Sequence, residues 1–182
     1  MVPSEFETLD TSTVFSGRLF RVERARVRMP GVARPRTRDV VVHPGAVAVV
    51  AVTARREILL VRQYRHAVRR RVLEIPAGTR ESEETPEETA RRELGEETGY
   101  RAAALRPLGS FVTAPGFCTE RLHLFRAVGL TPGPAHPEPG EDIEVVLLPL
   151  AEARRRLLSG GFEDVKTMVG LGALFLSAGE AA

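Results

Sequence analysis

Cysteine is nearly missing from these 182 residues: Cys118 stands alone, which excludes an internal disulfide and any zinc cluster built from cysteines. Long apolar runs are missing too. The longest mostly apolar stretch, Met168 to Ala178, is about half of what a bilayer-spanning helix needs. The opening MVPSEFETLD carries acids and no apolar segment, so no secretory signal is expected there. Neither sign of charge is in excess: 26 basic against 24 acidic residues leaves a formal +2, too little to imply a nucleic-acid partner despite a pI near 9.2. Lysine is almost absent, Lys166 being the sole one, a bias that codon usage in a GC-rich genome produces. What is present, 43% hydrophobic and 27% charged residues, is an ordinary globular mixture. The expectation is a soluble, cytoplasmic, single-domain protein without membrane or nucleic-acid partners.

After an unpatterned start, strands are expected over Arg18–Met29, Arg36–His43, Gly45–Thr53 and Glu57–Arg65. The third is almost continuously apolar and therefore central and buried. A short apolar stretch, Val72–Ile75, stops at Pro76-Ala77-Gly78. Thr85–Thr98 is the clearest helix, with Thr85 as N-cap, Pro86 in the first position, Glu88 closing a capping box and Gly99 as the stop. Strands follow at Leu105–Thr113, Arg121–Val128 and Ile143–Leu148, with a proline-rich loop at Gly129–Glu141, and helices at Pro149–Leu158 and Val165–Ser177. Strands before, between and after a few helices indicate a mixed α/β or α+β sandwich.

The informative segment is Gly78 to Tyr100, GTRESEETPEETARRELGEETGY. On a helix Glu93, Glu96 and Glu97 share one face, and stacked like charges cost a few tenths of a kcal/mol per pair. A divalent cation reverses the sign of that cost, and clustered hard oxygens suit Mg²⁺ or Mn²⁺. The competing explanation is a solvated acidic face, with Glu88 and Arg92 as a favourable i,i+4 pair. The order of residues decides between them. The segment resembles the Nudix box, G-x5-E-x7-R-E-U-x-E-E-x-G-U: Gly78, Glu84, Arg92, Glu93, Leu94, Glu96, Glu97 and Gly99 all fall in register, and only Tyr100 departs, aromatic where an aliphatic residue is preferred.

The resemblance implies a Nudix-type α/β/α sandwich with a mixed sheet, preceded by N-terminal antiparallel strands. It divides the chain into a dimer-forming strand region, residues 1–43, and a hydrolase domain, residues 44–182, working as a single unit. It also implies metal-dependent hydrolysis of a nucleoside diphosphate linked to another group. Glu93, Glu96 and Glu97 would be catalytic residues and metal ligands, with the backbone carbonyl of Ala77 as a further ligand and Mg²⁺ or Mn²⁺ as cofactor. Arg92 would orient a glutamate, Glu84 would fix the loop, and Gly78 and Gly99 would permit turns at the two ends of the motif.

Two segments address the substrate. Pro115 lies sixteen residues past Gly99, in Thr113-Ala114-Pro115-Gly116-Phe117, and LVRQYR (60–65) is followed by LEIPAG (73–78). Both are similar to the ADP-ribose pyrophosphatase subgroup, although GDP-sugar hydrolases share parts of them. The resemblance places substrate contacts at Arg38, Arg65, Glu74, Pro115 and Gly116, with Glu74 at the pocket edge and Arg38 reaching across a homodimer, where Arg18 or Phe20 could assist. The residues themselves leave Pro115-Gly116 open as a plain β-turn and Arg62 and Arg65 as a solvated strand end. Strand alternation separates Arg62 from Arg65, so at most one enters a given pocket, and Arg65 is favoured. The same resemblance implies a general base on the loop before the last strand, where Glu141 is favoured, with Glu138 or a glutamate of the box as alternatives. The expected reaction is ADP-ribose to AMP and ribose 5-phosphate. The rivals are hydrolysis of GDP-mannose, a flavin dinucleotide or a dinucleoside polyphosphate, or use of the fold as a non-catalytic binding module.

Overall fold

Ten strands and three helices run through the residues that the computed structural model describes, 5–136, 140 and 142–178. They are β1 (Glu7–Ser16), β2 (Arg21–Arg28), β3 (Arg36–Val42), β4 (Ala46–Ala51), β5 (Glu57–Arg65), β6 (Arg70–Glu74), β7 (Ala77–Thr79), α1 (Pro86–Thr98), β8 (Tyr100–Val112), β9 (Arg121–Pro132), β10 (Ile143–Pro149), α2 (Leu150–Leu158) and α3 (Val165–Ala178). The class is mixed α and β. No helix among the described residues is long and apolar enough to cross a membrane.

The chain forms two compact units. One holds the chain up to Gly45 together with Phe111–Leu122; the other holds Ala46–Ser110 and the chain from His123 onward. In the first unit β1, β2 and β3 make an antiparallel sheet in that order. Strand β1 was not expected from the sequence, and its burial explains why: nearly every residue in it is exposed, so no apolar alternation marks it. Cross-strand ion pairs do mark it, Asp10 with Arg26 at 2.6 Å and Glu7 with Arg28. Exposed pairs of this kind stabilise little, so the backbone ladder carries the strand. The Ala114–Thr119 turn lies along β3: the Val41 N–H donates to the Phe117 carbonyl at 2.7 Å, and the Thr119 N–H to the Val41 carbonyl at 2.9 Å.

The second unit is organised around β4. Two sheets run in the orders β7-β4-β9-β8 and β10-β5-β6. Val47, Val49 and Ala51 pack with Ala90 and Leu94 of α1 and with Leu59, Leu105, Phe125 and Ala127. Val50 meets α3, where a Cβ placed on Gly170 would stand 2.8 Å from it. Helices therefore cover both faces of β4, which is why AVAVVA shows no polar alternation.

Most expected elements form within a few residues of their expected ends. The differences have local causes. Beyond the expected stop at Pro76-Ala77-Gly78 the chain does not leave the sheet: Ala77–Thr79 pairs with β4 as the short strand β7. Strand β9 runs on to Pro132 into the expected loop, passing through Gly129, whose φ of 68° a glycine adopts without strain.

Candidate active site

Local chemistry fixes α1. The Thr85 hydroxyl accepts from the Glu88 N–H at 3.3 Å, the Glu88 carboxylate accepts from the Thr85 N–H at 2.8 Å, and Gly99 ends the helix in the left-handed region at φ 74°. Thr89, Ala90, Leu94, Glu97 and Thr98 are buried. Glu93 and Glu96, four and one residues before Glu97, continue its side of the helix toward solvent and are partly exposed. The Glu88–Arg92 pair of the solvated-face alternative does not form, because Glu88 is committed to the cap.

Arg92 instead gathers the acids. Its Nε and Nη2 donate to the two oxygens of Glu84 at 2.8 and 2.9 Å, and its Nη1 donates to Glu93 at 2.8 Å and Glu96 at 3.0 Å. The Thr89 hydroxyl adds a bond to Glu84 at 2.9 Å. Glu84 thus ties the loop to the helix, and the Arg92 hydrogen bonds, with Thr89 assisting, bring its carboxyl down to about 2. The same bonds to Glu84, with Glu93 and Glu96 adding, hold Arg92 above its ordinary value. One guanidinium among three carboxylates leaves the face negative. Glu97, 4% exposed, accepts the Ala77 N–H at 3.0 Å.

Gly78 acts differently from the turn glycine expected. A Cβ there would stand 1.9 Å from the Glu93 carboxyl, so the missing side chain is what lets Glu93 lie against β7. Gly99 does supply the turn.

The donor chemistry of this face fits a hard divalent cation. Among the described residues no three His, Cys, Asp or Glu side chains already converge as a metal cage. Arg92 and Glu96 also wall a hollow of about 460 Å³, with Arg91, Arg101 and His136 among its other residues.

On β5 the expected alternation holds. Tyr64 points out, Gln63 is buried, and Arg62 forms an exposed pair with Glu144 at 2.8 Å. Arg65 donates through Nε and Nη2 to both oxygens of Glu74 at 2.8 Å each. Glu74 is not at a pocket edge, as the sequence suggested, but 2% exposed, with Lys166 as a second cationic partner. Burial alone would raise its carboxyl; the Arg65 hydrogen bonds and the Lys166 charge bring it below the ordinary value instead.

The second unit thus carries Arg65, Glu74, Ala77, Arg92, Glu93, Glu96 and Glu97. Arg38, Pro115 and Gly116 belong to the first. Arg38 extends along β3, donating to the Thr37 carbonyl at 3.0 Å and to Met29 Sδ at 3.3 Å. Pro115-Gly116 occupies a turn closed by the Phe117 N–H on the Ala114 carbonyl at 3.1 Å. Glu141 and Glu138 lie outside the described residues. Sequence reasoning missed Asp164 and Thr167 and registered Lys166 only as a compositional exception.

A family model described as the NUDIX domain matches residues 42–167. The chain is 39% identical over 167 residues to a methanol dehydrogenase activator of Bacillus methanolicus, covering 91% of this chain and 90% of that protein. It is 40% identical over 165 residues to an ADP-ribose pyrophosphatase of Bacillus subtilis, covering 90% and 89%. A crystal structure of an ADP compounds hydrolase superposes with a TM-score of 0.85 at 24% identity, covering 98% of this chain and 97% of that one, and so shares its fold.

Proposed function

The chain belongs to the Nudix family and is a diphosphatase of that family, and from that premise we propose that it hydrolyses ADP-ribose to AMP and ribose 5-phosphate with Mg²⁺ as cofactor. The observation that carries the reading is the acidic face of α1: Glu93 seated against Gly78, Glu97 pinned by the Ala77 N–H, and Glu93 and Glu96 joined through Arg92. The choice of ADP-ribose is supported by the likeness to the ADP-ribose pyrophosphatase of Bacillus subtilis.

Nudix hydrolases generally use divalent metal ions. Glu93, Glu96 and Glu97 would hold the ion with the Ala77 carbonyl, and Mn²⁺ would serve in place of Mg²⁺. Bound there, the ion neutralises diphosphate oxygens and lowers the pKa of the attacking water. The rest falls to the protein. Arg92 orients Glu93 and Glu96 and keeps them apart from each other's charge. Glu84 holds Arg92. Arg65, whose Nε and Nη2 are engaged by Glu74, would offer the other edge of its guanidinium, Nη1 with Nη2, to diphosphate oxygens. Cationic residues lining the hollow beside Glu96 favour an anionic ligand. Glu141 takes the proton of the attacking water in this reading, and Glu74, Arg38, Pro115 and Gly116 complete substrate recognition, Glu74 through Arg65. The N-terminal strand region, residues 1–43, joins two chains in a cytoplasmic homodimer.

The test is a product analysis by liquid chromatography with ADP-ribose, GDP-mannose, NADH, FAD and diadenosine polyphosphates. AMP released fastest from ADP-ribose supports the proposal; a faster rate on another diphosphate overturns the substrate and leaves the chemistry. The name of the Bacillus methanolicus relative favours a second reading, an effect on methanol dehydrogenase. A methanol dehydrogenase assay with and without this chain tests it: an increased rate supports that reading, and an unchanged rate removes it.

A further inference from the structure

The start of α3 carries a polar cluster that the chemistry above does not use. Asp164 Oδ2 accepts from the Thr167 N–H at 2.9 Å and from the Thr167 hydroxyl at 2.5 Å. That hydroxyl accepts from the Ile75 N–H at 2.9 Å, and Thr167 is fully buried. Lys166 Nζ donates to Asp164 Oδ1 at 2.8 Å and to Glu74 Oε2. The cluster therefore grips Glu74 and Ile75, just before Ala77, whose N–H fixes Glu97. Close packing holds α3 in place: a Cβ on Gly170 would come within 2.8 Å of Val50 and 3.0 Å of Ile75.

We infer that Lys166 is a positioning residue for substrate binding: it fixes the Glu74 carboxylate, which holds the Arg65 guanidinium in one orientation toward the diphosphate. The inference rests on the reading of Arg65 as a substrate contact.

Two independent observations carry it. The first is composition. Of 26 basic residues, Lys166 is the only one that is not arginine. A bias that fills every other basic position with arginine is broken at the one position where a cation bridges Glu74 and Asp164. The second is stereochemistry. Arg65 already occupies both oxygens of Glu74 with its fork. What remains on Oε2 is room for a compact ammonium, whereas a second planar guanidinium needs an oxygen pair of its own. The lysine side chain is 18% exposed and the Glu74 side chain 2%, so the contact is shielded from solvent screening. With Lys166 removed, Glu74 would retain one cation, and the draw on Arg65 would increase. The Arg65 guanidinium is held above its ordinary pKa first by its bonds to Glu74, against the effect of burial, and further by the charges of Glu97 and Asp164, which places the network within electrostatic reach of the acidic face.

A single lysine makes the test direct. Intact protein labelled with ¹⁵N-lysine gives one side-chain ammonium resonance, and AMP with Mg²⁺ should shift it in the wild type but not in Arg65→Met. In steady-state assays on ADP-ribose, Lys166→Met and Lys166→Arg should each raise KM about tenfold or more, with kcat within about threefold. Arg65→Met should raise KM similarly. If Arg65→Met raises KM and the lysine variants do not, the inference is overturned while the reading of Arg65 stands. If Arg65→Met leaves KM unchanged, that reading fails and the inference with it. A wild-type KM in Lys166→Arg overturns the requirement for lysine, as does a fall in kcat alone. Should Lys166→Met fail to fold, the Lys166→Arg kinetics and the wild-type resonance decide, and a resonance indifferent to AMP overturns the inference.

Discussion

Replacing Gly78 by alanine adds one methyl group to β7 and isolates the part played by Glu93. The new Cβ would lie 1.9 Å from both Cδ and Oε1 of Glu93. Ordinary contact needs about 3.5 Å, so the carboxylate must retreat by roughly 1.5 Å. It can do so cheaply for the fold, being the far end of a flexible side chain, and Gly78 has no left-handed φ that alanine would strain. Alanine in a strand gains about 0.5–1 kcal/mol over glycine, and a weakened Arg92–Glu93 hydrogen bond loses about 1 kcal/mol. Net stability should therefore stay within about 1 kcal/mol, a Tm change of about 2–4 °C. Activity should not survive so well. Displacing a reacting group by about 1 Å costs on the order of 100-fold, close to 2.7 kcal/mol of barrier. Differential scanning fluorimetry paired with initial rates on ADP-ribose reads both quantities. Activity within about threefold of wild type would refute the placement of Glu93 at the reacting centre, and a collapsed Tm would refute the argument that only the carboxylate moves.

Glu84, held at about 2 by Arg92, contributes stability that is present above its unfolded value of 4.5 and lost as pH falls from about 5 through 2. The contribution is about 3 kcal/mol before solvent screening and less after it. Glu84→Gln should flatten the acid limb of unfolding free energy against pH, read by urea titration, and an unchanged limb would contradict the assignment. Leu94, 1% exposed in the cluster beneath α1, should cost about 2–5 kcal/mol as Leu94→Ala in the same titration. A loss below about 1 kcal/mol would mean that α1 is not held by that core.

The ends of α1 were legible because their causes lie within a few residues: a threonine cap, its reciprocal glutamate, and a glycine stop. Strand β5 was legible for a similar reason, an apolar run with a polar end. Strand β1 was not, since exposed strands carry no alternation. The site followed the same division. Glu93, Glu96 and Glu97 announced a shared face by spacing alone, but the solvated-face alternative had paired Arg92 with the wrong glutamate. Pairwise helix rules offered Glu88, while the cap had already claimed that carboxylate and the folded loop brought Glu84 within reach. The burial of Glu74 was out of reach for a different reason: its second cation, Lys166, stands 92 residues downstream, and no local pattern links the two.

The most direct test of the account is the turnover of ADP-ribose by wild type and Glu97→Gln, each with Mg²⁺ and with chelator, following AMP and ribose 5-phosphate. The account predicts both products from the wild type only with the metal, and a loss on the order of 100-fold or more in the variant, since Glu97 is pinned by the Ala77 N–H on the proposed metal-binding face. Equal turnover with chelator, or a variant as fast as the wild type, would contradict it.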